Sequence, residues 1–162
     1  TCAGWKHRPD SSGHVRIISA DTRVAPLINP MYLSDERDRR TAVDALRMVR
    51  RIYSTAPLAR YVDAETFPGP QVQTDDEWLG FARQYGSGTY HLTGTCRMGQ
   101  AGDPSTVVGP DLRVHGLENL RVVDASVMPT EPSANTYAAT LMIAEKGADL
   151  ILGKPPLPAE AL

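Results

Sequence analysis

Cysteine is scarce in this chain of 162 residues, with only Cys2 and Cys96 present. Two cysteines so far apart make no disulfide framework, and their use suits a reducing compartment such as the cytoplasm. Long apolar runs are also missing; none approaches the roughly 20 residues a membrane-crossing helix needs. Charge of one sign does not dominate. Lys and Arg number 17 against 19 Asp and Glu, a formal net charge of -2, and no basic stripe offers itself to nucleic acid. The sequence as given starts without Met, and the expectation from its first residues is no signal peptide. The chain opens on Thr-Cys-Ala-Gly-Trp, and the expectation is a piece of a longer protein.

What is present is a globular composition, 41% hydrophobic and 22% charged. The length is that of one ordinary domain and is enough to bury a core. Thirteen Pro and thirteen Gly predict many loops. The turn signal Pro9-Asp10-Ser11-Ser12-Gly13 precedes a β-prone run, His14 to Ile18. Residues 21–33 carry two prolines and read as an extended, irregular connection. A helix is predicted over 34–53, capped by Ser34 or Asp35. Its apolar face is Ala42, Ala45, Leu46, Val49, Ile52 and Tyr53. Arginines 37, 39, 40, 47, 50 and 51 crowd the remainder and read as a solvated face with local ion pairs, or as a seat for an acidic partner.

Residues 62–73 predict a loop. Thr74-Asp75-Asp76-Glu77 then has the form of a capped helix start, leading to about Tyr85. Residues 101–118 suggest turns and short strands, and 120–123 a buried strand closing on Asp124. The proline-rich turn at 128–133 leads into a last helix, Asn135 to Leu152. That helix is apolar on nearly every side and should be well buried. Gly153 stops it.

Three stretches carry chemistry. Tyr90 to Gly99, YHLTGTCRMG, sets a His in a small-residue loop. Such a His is more often structural than catalytic. A metal site on His91, Cys96 and His115 matches no familiar spacing and lacks a fourth ligand, so no metal is expected. A Cys96–His91 nucleophilic pair is possible chemistry, but nothing marks Cys96 as activated. Asp124, after the strand, can accept from a ligand hydroxyl, and the backbone N–H that follows can donate to a phosphate. An Asp ending a strand at the surface is the plainer reading. Ser133 and Asn135 can cap the last helix, whose free N–H groups favour an anionic or electron-rich ligand.

In order, H-x-x-G-T-C-x-M-G, G-L-x-N-L-R-V-V-D-A-S-V-M-P and S-A-N-T-x-A-x-T-x-M-I-A-E-K closely resemble the C-terminal part of the glucose–methanol–choline oxidoreductases. Upstream, R-P-D-S-S-G-H-V-R-I and A-P-L-I-N-P-M-Y-L are similar to that family's choline-dehydrogenase-like members. The resemblance runs from about Arg8 to Gly153. It implies an α+β chain, the C-terminal portion of a two-domain FAD enzyme. Residues 1–86 would belong to a substrate domain, an antiparallel sheet with helices. Residues 87–153 would complete the FAD domain and the active-site wall, with the last strand at 120–123, and 154–162 would form a tail.

By the same resemblance His91 is the general base and Asn135 its catalytic partner. Tyr90, Asp124, Ala125, Asn135 and Thr136 would lie against FAD. The nucleotide fingerprint G-x-G-x-x-G does not occur here, so FAD would be held mainly by an N-terminal remainder of the same protein. The implied substrate is a small primary or secondary alcohol. The family also contains FAD-bearing lyases that act on cyanohydrins, and a non-catalytic structural module is a further reading. Which alcohol, which electron acceptor and which oligomeric state stay open at this point.

Overall fold

The computed structural model describes residues 1–155. The chain divides into two compact units, Thr1–Ser87 and Gly88–Leu162.

In the first unit, β1 (His14–Arg16) pairs antiparallel with β2 (Leu27–Asn29), Val15 opposite Ile28. The run read as a strand to Ile18 stops two residues early, and the segment read as irregular supplies the partner strand. Gly13 makes the close approach possible, since a Cβ there would lie 2.0 Å from the Asn29 carbonyl oxygen. Helix α1 spans Glu36–Tyr53 with Asp35 as its cap, the Asp35 carboxylate accepting from the Arg37 N–H. A short helix that sequence reading missed, α2 (Ala56–Ala59), follows with Pro at its first turn. Helix α3 (Asp75–Tyr85) starts on a complete capping box: Glu77 N–H donates to Thr74 Oγ1, and Thr74 N–H donates to Glu77 Oε2.

Two charged side chains organise this unit. Asp38 is buried and accepts from the backbone N–H groups of Asp10 (3.0 Å) and Ser11 (2.7 Å) and from Lys6 Nζ (2.7 Å). Burial alone would raise its carboxyl pKa. The hydrogen bonds from Asp10, Lys6 and Ser11 outweigh that and hold it well below the usual carboxylate range. The Arg8–Gly13 loop is thereby docked on the first turn of α1. Arg50 donates to both oxygens of Glu65, at 2.8 and 2.7 Å, and to the carbonyls of Val72 and Gly69. Its guanidinium also lies 4.1 Å from the centre of the Trp78 ring. Arg50 therefore ties the 65–72 loop and α3 to α1, and is not part of a solvated face. Arg37 and Arg39 do make the local ion pairs expected of them, with Asp35 and Glu36.

The second unit has a small core of Val108, Leu112, Val127, Met128 and Ile143. It contains no extended ladder among the described residues. Residues 120–123, read as the last strand of a Rossmann-like sheet, form one bridge, Arg113 with Arg121. Leu120 and Val122 each share one backbone bond with the 112–114 stretch. A 3-10 turn, Ala125–Val127, comes next. Helix α4 then spans Tyr137–Leu152, starting two residues later than expected.

Only Ile143 and Gly147 of α4 are buried, while Leu141, Met142, Ile151 and Leu152 stand exposed. Within this chain the small core meets one face of α4, short of the burial on nearly every side that the sequence suggested. That face is close-fitting: a Cβ at Gly147 would lie 2.3 Å from Val123 Cγ1 and 3.3 Å from Leu112 Cδ1. Gly153 ends the helix in the left-handed conformation, φ 66°. The expected tail beyond Lys154 falls mostly outside the described residues. No helix among those residues is long and apolar enough to cross a membrane.

Candidate active site

The second unit brings His91 and Asn135 together across 44 residues of sequence, with Asn135 Nδ2 3.0 Å from His91 Nε2. Two elements position them. Tyr90, immediately before His91, takes a left-handed backbone at φ 63°, a conformation strained for a bulky side chain. Its ring is 97% exposed, so the loop turns sharply and leaves His91 half-buried behind it. After His91 the chain is stitched to the 124–128 turn. Cys96 N–H donates to the Ser126 carbonyl (3.0 Å) and Met98 N–H to the Val127 carbonyl (2.9 Å). Gly94, at φ 84°, supplies the bend between the two stretches.

Asn135 is held from the other side. Its Oδ1 accepts from the Tyr137 N–H at 2.9 Å, so the side chain closes a turn onto the first residue of α4. Sequence reading placed Asn135 inside the helix as a cap candidate. In the structure Thr136 is the cap residue and makes no side-chain cap bond. The role of Tyr137, through its backbone, was not anticipated. The signal available was an Asn two residues ahead of a helix.

The other expected site residues lie nearby in the chain but differ in what they offer. The Asp124 carboxylate accepts from both the N–H and the hydroxyl of Ser126 through Oδ1, so Oδ1 already serves the turn. Ala125 opens that 3-10 turn. Thr136 is buried, with its carbonyl accepting from Thr140. Among the described residues, no three His, Cys, Asp or Glu side chains gather as a metal site. His115 Nε2 and Arg97 Nε are buried without a hydrogen-bond partner, and sequence reading gave neither a role of that kind.

An α+β chain with a His–Asn pair at the start of an apolar helix defines a class, and comparison with known proteins gives the family. A family model described as GMC oxidoreductase, the C-terminal domain of that family, matches residues 9–144. The chain belongs to the GMC oxidoreductases. It is 45% identical over 152 residues to an oxygen-dependent choline dehydrogenase of Staphylococcus saprophyticus, covering 93% of this chain and 27% of that protein. Among solved structures it resembles pyridoxine 4-oxidase from Mesorbium loti, with TM-score 0.81 and 36% identity, over 93% of this chain and 29% of that one. It also resembles an Aspergillus oryzae formate oxidase studied for its FAD modification, with TM-score 0.81 and 29% identity, over 88% of this chain and 25% of that one. The chain thus spans about a quarter of the length of these relatives.

Proposed function

We propose that this chain carries the proton-transfer half of an FAD-dependent oxidoreductase acting on a primary or secondary alcohol. The observation that carries the reading is the 3.0 Å contact between His91 Nε2 and the Asn135 amide at the start of α4. An alcohol carbon is a poor hydride donor until its hydroxyl proton is leaving. A neutral imidazole within hydrogen-bond reach takes that proton. Asn135 does not titrate. Its amide donates to the substrate oxygen and fixes the reacting geometry.

The surface around the pair suits a flat, electron-accepting cofactor. Ala134, Asn135 and Ala138 are small and exposed, and a Cβ on Gly94 would meet nothing nearer than 3.6 Å. FAD, when bound, accepts the hydride from the substrate carbon. Asn135 and the backbone of Thr136 would hold its pyrimidine edge, Tyr90 would flank it, and Asp124 and Ala125 would meet its ribityl and diphosphate region. The partial positive charge at the N-terminus of α4 stabilises negative charge developing beside it. The adenine and phosphates would be held mainly by an N-terminal remainder of the same protein, because no Gly-rich phosphate cradle occurs in this sequence.

Phe67, Phe81 and Tyr85 pack against one another with ring centres 4.8 to 5.1 Å apart. The test is the visible spectrum of the intact protein, titrated anaerobically with a panel of alcohols that includes choline. Bleaching of a bound flavin by one of them supports the reading. A bound flavin that no alcohol bleaches, in a protein that cleaves a cyanohydrin, would turn the assignment to a lyase.

A further inference from the structure

We propose that Asn135 fixes the tautomer of His91, keeping its proton on Nδ1 and holding the Nε2 lone pair until substrate arrives. The inference rests on the reading of His91 as the base and adds what prepares it. An amide has two ends, and which end faces His91 decides the chemistry. Here the choice is made by the backbone. Tyr137 N–H can only donate, and it donates to Asn135 Oδ1 at 2.9 Å. The other end, Nδ2, therefore faces His91 Nε2 at 3.0 Å. An amide NH2 has no lone pair to give, so Nε2 must accept and the ring proton must sit on Nδ1. The first N–H of α4 thus sets the protonation pattern of a side chain 46 positions earlier, through one amide.

The consequence for the reaction is an exchange of partners. At rest the one basic lone pair of His91 is occupied by an Asn135 N–H. An alcohol hydroxyl must displace that donor to reach Nε2. The released N–H is then free beside the substrate oxygen. When the O–H bond breaks, its proton joins Nε2 and its electron pair stays on oxygen. His91 then carries hydrogen on both nitrogens and no longer accepts from Asn135. The Asn135 amide is left to donate to the oxygen, where charge has just developed. Asn135 thus acts twice: it selects the basic nitrogen and then supports the product of the proton transfer.

The intact protein with 15N-labelled histidine tests this. In the wild type, Nδ1 of His91 is expected to resonate as a protonated nitrogen and Nε2 as an unprotonated one. The informative variant is Asn135→Asp. Its carboxylate still accepts from Tyr137 N–H and keeps the helix start, but it offers His91 an acceptor in place of a donor. The proton is then expected to move to Nε2, with kcat/KM falling by up to roughly 10⁴-fold, the cost of a catalytic His held in the wrong tautomer. Asn135→Ala, which removes both bonds, is expected to give a mixture of tautomers. A wild-type His91 protonated on Nε2, or an Asn135→Asp variant with unchanged nitrogen resonances, overturns the inference. A protein whose flavin no alcohol reduces would instead contradict the proposed function, and the nitrogen resonances would still decide the tautomer.

Discussion

The two units are held together by different physics. In the first, buried or half-buried charge does the work: Asp38 gathers a loop and a lysine, and Arg50 gathers a carboxylate, two carbonyls and a tryptophan. In the second, backbone hydrogen bonds from Cys96 and Met98 and a small aliphatic core hold the turns in place. The organising carboxylate and guanidinium of the first unit are fully engaged in structure. In the second unit, among the described residues, His91 and Asn135 meet as distant side chains at an exposed helix start.

The difference can be broken most severely at the pair itself. His91→Ala is expected to lower kcat/KM for alcohol oxidation by about 10²- to 10⁴-fold, the usual worth of a general base, with the unfolding midpoint nearly unchanged. Anaerobic flavin reduction and thermal unfolding of the same samples check both halves.

Asp38→Ala is the converse. It strands the backbone N–H donors of Asp10 and Ser11 and leaves Lys6 with the Asp10 carboxylate alone, and should cost about 2 to 4 kcal/mol of stability. Both tryptophans, Trp5 and Trp78, lie in the first unit, so their fluorescence follows its unfolding. The pH dependence has a definite sign. Asp38 is held below its unfolded value, so its contribution is fully present above the ordinary carboxylate pKa of about 3.9. It is lost as pH falls further toward the depressed folded value. Acid titration of the fluorescence midpoint should therefore flatten in Asp38→Ala relative to wild type.

How much of this the sequence disclosed depends on the range of the interaction. Thr74 and Glu77, three residues apart, give a capping box that is legible as text and present in the structure. The helix from Glu36 was equally legible from its period. Asp38 and Arg50 were not, because their partners lie 28 and 15 residues away and composition marks them only as charge on a helix. The run at 120–123 looked like a strand because it is apolar and β-branched. Strand formation needs a neighbour to pair with, and within this chain the run has one bridge, Arg113 with Arg121. His91 and Asn135 became visible as a pair through family resemblance. Local reading had left one as a loop histidine and the other as a cap.

Two smaller effects sharpen the contrast. Gly147→Ala must push against Val123, whose branched side chain cannot swing away. Overpacking of about 1 to 3 kcal/mol is partly offset by roughly 1 kcal/mol of helix propensity. The net loss should be about 1 kcal/mol by denaturant unfolding, and Val123→Ala in the same chain should restore much of it. Thr74→Ala removes one half of the capping box and should cost about 1 kcal/mol, seen in the tryptophan transition because Trp78 follows in the same helix.

The most direct measurement compares His91→Ala and Asp38→Asn in the intact protein, each brought to equal flavin content and mixed anaerobically with the best alcohol of the panel. The account predicts that His91→Ala keeps the wild-type thermal unfolding transition and nearly loses flavin reduction. It predicts that Asp38→Asn unfolds earlier and reduces its flavin at close to the wild-type rate per bound cofactor. Wild-type reduction rates in His91→Ala would contradict it.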